Sequence, residues 1–234
     1  MRRHGKAEHG LDKSSAVHVR LRRLHKFVLE QLCELAQEVH TLHRIWYKGA
    51  AQYRHMVWWR PLQRVKKLGV HVVTGPLSEI VPLARQTSLQ HIPPQGTFHE
   101  APVLGVQALT AMAAVYAACW NEPTPEYWHL LPKHTVPPIS KQSIDPCVQA
   151  EAYHAFARLV DTLVNMKLAS RMCYARIHAH LMTPPAPMYA PTCMALMAIC
   201  ARICKICGLL LHGQGSNEGI KTWCCILSRN ELIL

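Results

Sequence analysis

The sequence predicts an all-α protein, a bundle of about four to six helices joined by Pro-rich connectors. Apolar residues recur mostly at intervals of three and four positions, which is the spacing of one helix face. The apolar–polar alternation that is typical of strands is nearly absent, and prolines cluster between the helical stretches. Half of the 234 residues are hydrophobic, so the chain has enough apolar side chains to form a core.

The first helix is predicted to begin at Ser14, after a basic flexible arm over residues 1–13, because a serine can cap a helix N-terminus. An apolar stripe close to a heptad pattern follows, and neither Pro nor Gly interrupts it before Gly49. The charged residues between the apolar positions are expected to face water. The stripe comprises Val17, Leu21, Leu24, Val28, Leu32, Leu35, Val39 and Leu42, and the charged residues are Arg20, Arg23, Glu30, Glu34 and Glu38.

The helical pattern resumes at Gly49 and continues to Arg60, and Pro61 is expected to open a new turn or to kink the helix. A short basic amphipathic stretch follows and is predicted to stop at Gly69. Residues 14–69 are therefore predicted to form a helical hairpin or one bent helix.

The remainder of the chain is predicted to complete a single helical domain over residues 14–211, with an apolar helical part from residue 101 onward. One short helix is expected near Leu77–Ser88 in an otherwise irregular segment. Longer helices are predicted over 101–120, over 147–182 and up to Leu211, separated by segments that are rich in proline. Residues 212–234 match no neighbouring pattern and are predicted to be a tail of uncertain structure.

The net charge indicates the kind of partner that the chain binds. Lys and Arg total 26 against 14 Asp and Glu, which gives a formal charge of +12. Most of this surplus lies in residues 1–68. Such a localised surplus favours a polyanionic partner, because Lys and Arg release condensed counterions when they neutralise phosphates. A basic but inert surface and attraction to anionic lipid are the alternatives.

The stretch from Arg44 to Leu68 alternates aromatic rings with cations, a mixture that suits RNA. Phosphates accept charge-assisted hydrogen bonds from Arg and Lys, and unstacked bases stack on aromatic rings or guanidinium planes. The alternative is that the tryptophans pack in the core with cations around them, and we expect a mixture of the two. The predicted RNA-binding residues are Arg44, Lys48, Gln52, Arg54, His55, Trp58, Trp59, Arg64 and Lys67.

Short motifs in this stretch carry a resemblance to a known family. Gln52-Tyr53-Arg54, Trp58-Trp59 and the basic turn after them, with Leu62, Arg64 and Leu68, are similar to the second half of a motif in the RNase MRP-specific small protein subunits of fungi. Arg44-Ile45-Trp46 and Tyr47-Lys48-Gly49 are similar to pieces of the related nucleolus and neural progenitor proteins of animals. Where the fungal motif has R-N-K-N, this chain has Lys48-Gly49-Ala50-Ala51.

The resemblance implies a non-catalytic, RNA-binding subunit of the RNase MRP ribonucleoprotein, which processes precursor ribosomal RNA in the nucleolus, within the nucleus. In that particle the RNA component is the catalyst. The implied partners are the RNase MRP RNA and the other protein subunits of the particle.

The residues themselves offer no clear catalytic, cofactor or metal motif. Gly-rich phosphate loops and nucleophile elbows are absent from the sequence, and the aspartates are far apart along the chain. Cys204 and Cys207 have zinc-like spacing, but the usual second pair is incomplete, so these thiols are predicted to be buried on a helix face. The ten cysteines and the polar N-terminus suggest a reducing compartment.

Two other functions are kept as alternatives. A helical protein-interaction adaptor without RNA binding would use the apolar stripe from Val17 to Leu42 as a groove for its partner. A membrane protein would use the most apolar stretch, Met188–Leu211. Because Arg202 and Lys205 lie near the end of that stretch, its uncharged core is short for a bilayer, and a buried helix is predicted instead.

Overall fold

A computed structural model describes residues 8–73, 104–120, 145–183, 189–214 and 217–228. The predicted all-α class is confirmed. The described part of the chain has six helices and one hairpin of two-residue strands. In chain order the elements are α1 (Glu8–Tyr53), α2 (Trp59–Val73), α3 (Leu104–Trp120), α4 (Pro146–Leu181), α5 (Ala190–His212), β1 (Gly213–Gln214), β2 (Asn217–Glu218) and α6 (Ile220–Ser228).

Helix α1 is longer at its start than the sequence predicts, and the predicted apolar stripe from Leu21 onward is its buried face. The helix begins at Glu8, so the second half of the predicted flexible arm is helical. Residues 1–7 and the predicted helix at Leu77–Ser88 lie outside the described residues. From Leu21 to Leu42 every residue of the stripe is at most 3 % exposed, which means that the bundle itself covers the stripe.

Helices α1 and α2 form an antiparallel hairpin around a five-residue turn over residues 54–58. The predicted continuation of the first helix to Arg60 is wrong, because the chain reverses after Tyr53. Two backbone hydrogen bonds close the turn, from Met56 N to the Tyr53 carbonyl at 2.9 Å and from Trp59 N to the Met56 carbonyl at 3.0 Å. Pro61 then lies in the first turn of α2, where no intrahelical donor is needed.

The prediction that α2 stops at Gly69 is wrong, since α2 continues to Val73. The glycine instead allows α1 and α2 to approach each other closely. It lies inside the helix, and a Cβ atom there would be 2.6 Å from Val39 Cγ2. Only a residue without a side chain fits at that separation. A glycine is therefore required at this position, but for a close contact between helices and not for a helix end.

Helix α4 is the central element of the bundle, since it packs against α2, α3, α5 and α6. Its start is well defined, because the Asp145 carboxylate accepts a hydrogen bond from Cys147 N at 2.9 Å and Pro146 occupies the first helical position. The core face of this helix is formed by Phe156, Leu159, Leu163 and Met166, each at most 2 % exposed.

Helix α5 packs along α4 and also contacts α1. One face of α5 is buried, while Arg202 and Lys205 are exposed on the other. Glu38 on α1 was expected to face water, but it is 8 % exposed and forms an ion pair with Arg202, with 2.9 Å between Oε1 and Nε. Among the described helices, α5 is the one that is long and apolar enough to cross a membrane by length and composition, and core helices of soluble proteins pass the same test.

The C-terminal segment contributes to the core instead of forming a separate tail. After α5 the chain turns at Gly213, whose φ of 77° lies in the left-handed region that favours glycine. Strands β1 and β2 pair, and α6 then packs against α4 and α5 with Trp223 and Leu227 buried. The Gln149 side-chain amide donates a hydrogen bond to the Leu227 carbonyl at 2.7 Å, which ties α6 to the start of α4.

Candidate nucleic-acid interface

The part of the α1–α2 hairpin from Val39 to Val73, on both sides of the turn, has an acid-free basic surface. From residue 39 to the end of α2 the chain contains no Asp or Glu, so no carboxylate within this stretch neutralises its cations. Every predicted RNA-binding residue other than the two tryptophans is exposed. These residues are Arg44, Lys48 and Gln52 on α1, Arg54 and His55 in the turn, and Arg64 and Lys67 on α2.

A continuous basic stripe runs along the exposed face of α2. Arg60, Arg64, Lys67 and His71 are all exposed, and they follow one another at intervals of four, three and four residues. This spacing places them on one line along the helix, because residues three and four apart share a helix face. Arg60 and His71 were not among the predicted contacts, although the same spacing rule identifies them.

The structure places Trp58 and Trp59 in the core, where a base cannot stack on them. Trp58 is fully buried and Trp59 is 7 % exposed. The Trp59 ring stacks on Trp46, with 5.6 Å between centroids, and Trp58 packs on Tyr53 at 5.5 Å. Their predicted role as RNA contacts is therefore corrected to packing of the hairpin. The physical reason is the large apolar area of an indole, which stabilises the fold most when it is buried.

Lys66 belongs to this aromatic packing and not to the exposed stripe. Its ammonium lies 3.3 Å from the centroid of the Trp46 ring, a cation–π contact between α2 and α1. Burial lowers the pKa of Lys66. Burial, followed by the positive charges of Lys66 and His40, also lowers the pKa of the neighbouring His43. The contact between α1 and α2 is therefore stabilised by stacked aromatic rings and by the cation–π contact of Lys66.

Tyr47 is the exposed aromatic residue between the cations of α1. Its side chain is 75 % exposed, and it lies between Arg44 and Lys48. Residues three and four positions apart share a face, so Arg44, Tyr47 and Lys48 project from one side of the helix. Trp58 and Trp59 were predicted as RNA contacts, but both are buried, whereas the ring of Tyr47 is accessible to a base.

Helix α4 adds a cation to the turn that sequence spacing could not indicate. The Arg176 guanidinium is exposed and donates a hydrogen bond to the Val57 carbonyl at 3.4 Å. Cys173, one turn earlier on α4, is buried against the Trp58 carbonyl, with 4.0 Å between Sγ and the oxygen. These contacts span more than a hundred residues of sequence, so only the folded chain brings Arg176 to the turn at Val57.

Three of the four cysteines of α5 are buried in the core, whereas Cys204 is half-buried. Cys193, Cys200 and Cys207 are fully buried. Burial raises the pKa of Cys193, and it raises that of Cys207 to about 12, which disfavours the thiolate that a metal would need. Within the described ranges, no three His, Cys, Asp or Glu side chains are grouped so as to hold a metal ion.

Comparison with known proteins returned no match to a family model, to a curated protein or to a solved structure.

Proposed function

We propose that this chain is a non-catalytic RNA-binding subunit of a ribonucleoprotein, and that the exposed surface of the α1–α2 hairpin contacts the RNA. The observation that carries the proposal is the acid-free stretch of the hairpin from Val39 to Val73, with exposed cations on both helices and in the turn. A surface of one sign attracts a polyanion over several ångströms and neutralises its phosphates on contact. The predicted cations supply the charge, and Tyr47 supplies a ring for stacking.

The finer part of the proposal is that the particle is RNase MRP. It is supported by the sequence resemblance of Arg44–Leu68, a segment that comprises the end of α1, the turn and most of α2. The proposed partners are the RNase MRP RNA and the other protein subunits, the proposed process is maturation of ribosomal RNA, and the proposed location is the nucleolus. In this role the chain stabilises the RNA or places the substrate, and the RNA carries out the cleavage.

The alternative of a protein-interaction adaptor loses the surface on which it was based. The stripe from Leu21 to Leu42 is at most 3 % exposed, so a partner helix has no groove there. An adaptor would need another apolar surface, and α4 exposes Val164, Leu168 and Met172 at intervals of four residues. Partner binding through such a surface would be insensitive to salt, whereas RNA binding through cations weakens steeply with salt.

The proposal is tested by replacing four exposed cations of the hairpin, Arg44, Lys48, Arg54 and Arg64, with alanine. The matched control replaces four exposed cations outside the acid-free stretch of residues 39–73, Arg23, Lys26, Arg158 and Lys221, and changes the net charge equally. We expect the hairpin variant to bind RNA much more weakly than wild type. Its salt slope should be smaller by roughly 0.7–0.9 for each phosphate that it no longer neutralises. The control should bind almost as wild type does.

Crosslinking of the full-length protein to RNA in cells, followed by sequencing, identifies the bound RNA. Recovery of the RNase MRP RNA would support the finer assignment, and recovery of a different RNA would contradict it while RNA binding stands. Equal affinity of the hairpin variant and the control variant would contradict the placement of the interface.

A further inference from the structure

A second basic site lies in the groove between α4 and α5, apart from the hairpin surface. The groove has a volume of about 530 Å³, and three cations line it: Lys167 and Arg171 from α4, and Lys205 from α5. Among the described residues, no Asp or Glu lines this groove. Three cations around one concave surface, without a neutralising carboxylate, create a local positive potential that an anion relieves.

Small residues on α5 form the floor of the groove. Ala201 and Gly208 line it, and a Cβ atom on Gly208 would be 3.4 Å from Lys167 Nζ. The ammonium group of Lys167 therefore extends across the surface of α5 at Gly208. A larger side chain at that position would occupy the space next to this charge, so the glycine keeps the groove open beside the ammonium.

An unpartnered hydroxyl is buried in the wall of the groove. Ser170 lines the groove and is fully buried, and its Oγ has no hydrogen-bond partner among the described residues. A buried hydroxyl without a partner costs free energy, and an oxygen atom of a bound ligand is the kind of hydrogen-bond partner that it lacks.

The rim of the groove also has an exposed aromatic ring. Tyr174 lines the groove and is 40 % exposed. One turn later His178 stacks parallel to it, with 6.5 Å between ring centroids and 8° between the planes. Lys167, Arg171, Tyr174 and His178 follow one another at intervals of four, three and four residues, so cations and rings share one face of α4. This combination matches the two parts of a nucleotide, a charged phosphate and a flat base.

We propose that the groove between α4 and α5 binds one nucleotide unit of single-stranded RNA. Lys167, Arg171 and Lys205 hold its phosphate, and Tyr174 stacks on its base. This inference rests on the proposed RNA-binding function and extends it, because it gives the RNA a second contact on a different pair of helices. A single strand fits the groove better than a duplex does, because a base must leave its neighbours in order to stack on Tyr174.

The test uses the full chain that already has the four alanine substitutions in the hairpin, so that the groove is the remaining basic site under study. The probe is a 5′-phosphorylated uridine trinucleotide at low salt, and calorimetry measures its Kd. The groove variant is Arg171→Gln with Lys205→Gln, and its matched control is Arg158→Gln with Lys221→Gln. Tyr174→Ala and Tyr174→Phe separate stacking from the phenol hydroxyl. Circular dichroism checks that each variant is folded, which is expected because the changed cations are exposed.

We expect the groove variant to weaken trinucleotide binding by roughly tenfold or more relative to its control, because it removes two charge-assisted hydrogen bonds to the phosphate. Tyr174→Ala should weaken it at least about fivefold, and Tyr174→Phe should have little effect because the ring is kept. Equal affinities of the groove and control variants, or no binding by either, would overturn the inference. The proposed function would stand if wild-type protein still bound longer RNA in a way that depends on the hairpin cations.

Discussion

At the scale of single residues, burial separates the aromatic side chains of the hairpin into two kinds. Trp58 and Trp59 belong to the core, whereas Tyr47 projects into solvent between two cations. The sequence could not make this distinction, since all three lie in one aromatic and basic stretch. It depends on where the chain reverses, and the reversal after Tyr53 turns both indoles inward.

This difference predicts opposite effects for two substitutions. Trp58→Ala should lower the free energy of unfolding by about 3–5 kcal/mol, because it leaves a large cavity in the core. Tyr47→Ala should leave stability within about 0.5 kcal/mol of wild type and weaken RNA binding by roughly fivefold or more. Urea unfolding and RNA titration of the two variants measure these effects. A stable Trp58→Ala protein with weakened RNA binding would contradict the assignment of this indole to the core.

His25 on α1 makes the stability of the fold depend on pH. Burial lowers its pKa from the ordinary value of 6.5 to about 4. The unfolded chain therefore binds a proton more tightly than the folded chain does. Protonation of His25 therefore has little effect on the free energy of unfolding above pH 7. As the pH falls from 6.5 towards 4, it lowers that free energy by at most about 1.4 kcal/mol per pH unit.

Urea unfolding of wild type and of His25→Leu at pH 7.5, 6 and 5 tests this prediction. The variant should lose less stability than wild type between pH 7.5 and 5. His71→Gln, at an exposed position on α2, serves as the control and should follow wild type. Parallel pH curves for wild type and His25→Leu would contradict the prediction.

At the scale of helices, the hairpin depends on close contact between α1 and α2. The periodicity of Leu21–Leu42 was sufficient to predict the buried face of α1, because a stripe at helical spacing has to be covered. The end of α1 was not predictable in the same way. Neither Pro nor Gly stands at the reversal, and the aromatic contacts that favour it form only between the two helices.

Gly69→Ala should destabilise the hairpin. Alanine is the better helix former by roughly 1 kcal/mol, but its Cβ would lie 2.6 Å from Val39 Cγ2. Such overpacking typically costs about 1–3 kcal/mol, so the net effect should be a loss of stability. Val39 is β-branched and cannot easily rotate away.

A double-mutant cycle isolates the contact between these two residues. Val39→Ala alone should be destabilising, since it removes buried methyl groups. In the Val39→Ala background, Gly69→Ala should become neutral or stabilising, because the methyl groups that it meets are gone. Additive free energies in urea unfolding would show that the two side chains do not interact.

At the scale of the whole molecule, α4 connects the two proposed RNA-binding surfaces with the rest of the core. Its C-terminal half contacts the hairpin turn through Cys173 and Arg176, and it lines the groove on α5. Its first turn is tied to α6 through Gln149. Sequence patterns were sufficient to predict α4. They were not sufficient for α6, because the helix has only nine residues and its packing depends on where α5 ends and the chain turns.

The C-terminal segment should therefore stabilise the fold without contributing to RNA binding. Trp223→Ala removes a buried indole from the contact of α6 with the bundle and should cost about 3–5 kcal/mol in urea unfolding. Cys225→Ala, at an exposed position on the same helix, is the matched control and should be nearly neutral.

The RNA affinity of folded Trp223→Ala protein should equal that of wild type, because α6 and the hairpin turn contact α4 at positions that are far apart. From Gln149 to Arg176 the helix rises by about 40 Å at about 1.5 Å per residue, so α6 is anchored far from the hairpin turn. RNA titration at low temperature, where the variant is still folded, measures this. Weaker binding with unchanged stability would place α6 in the interface and would contradict its role as part of the core.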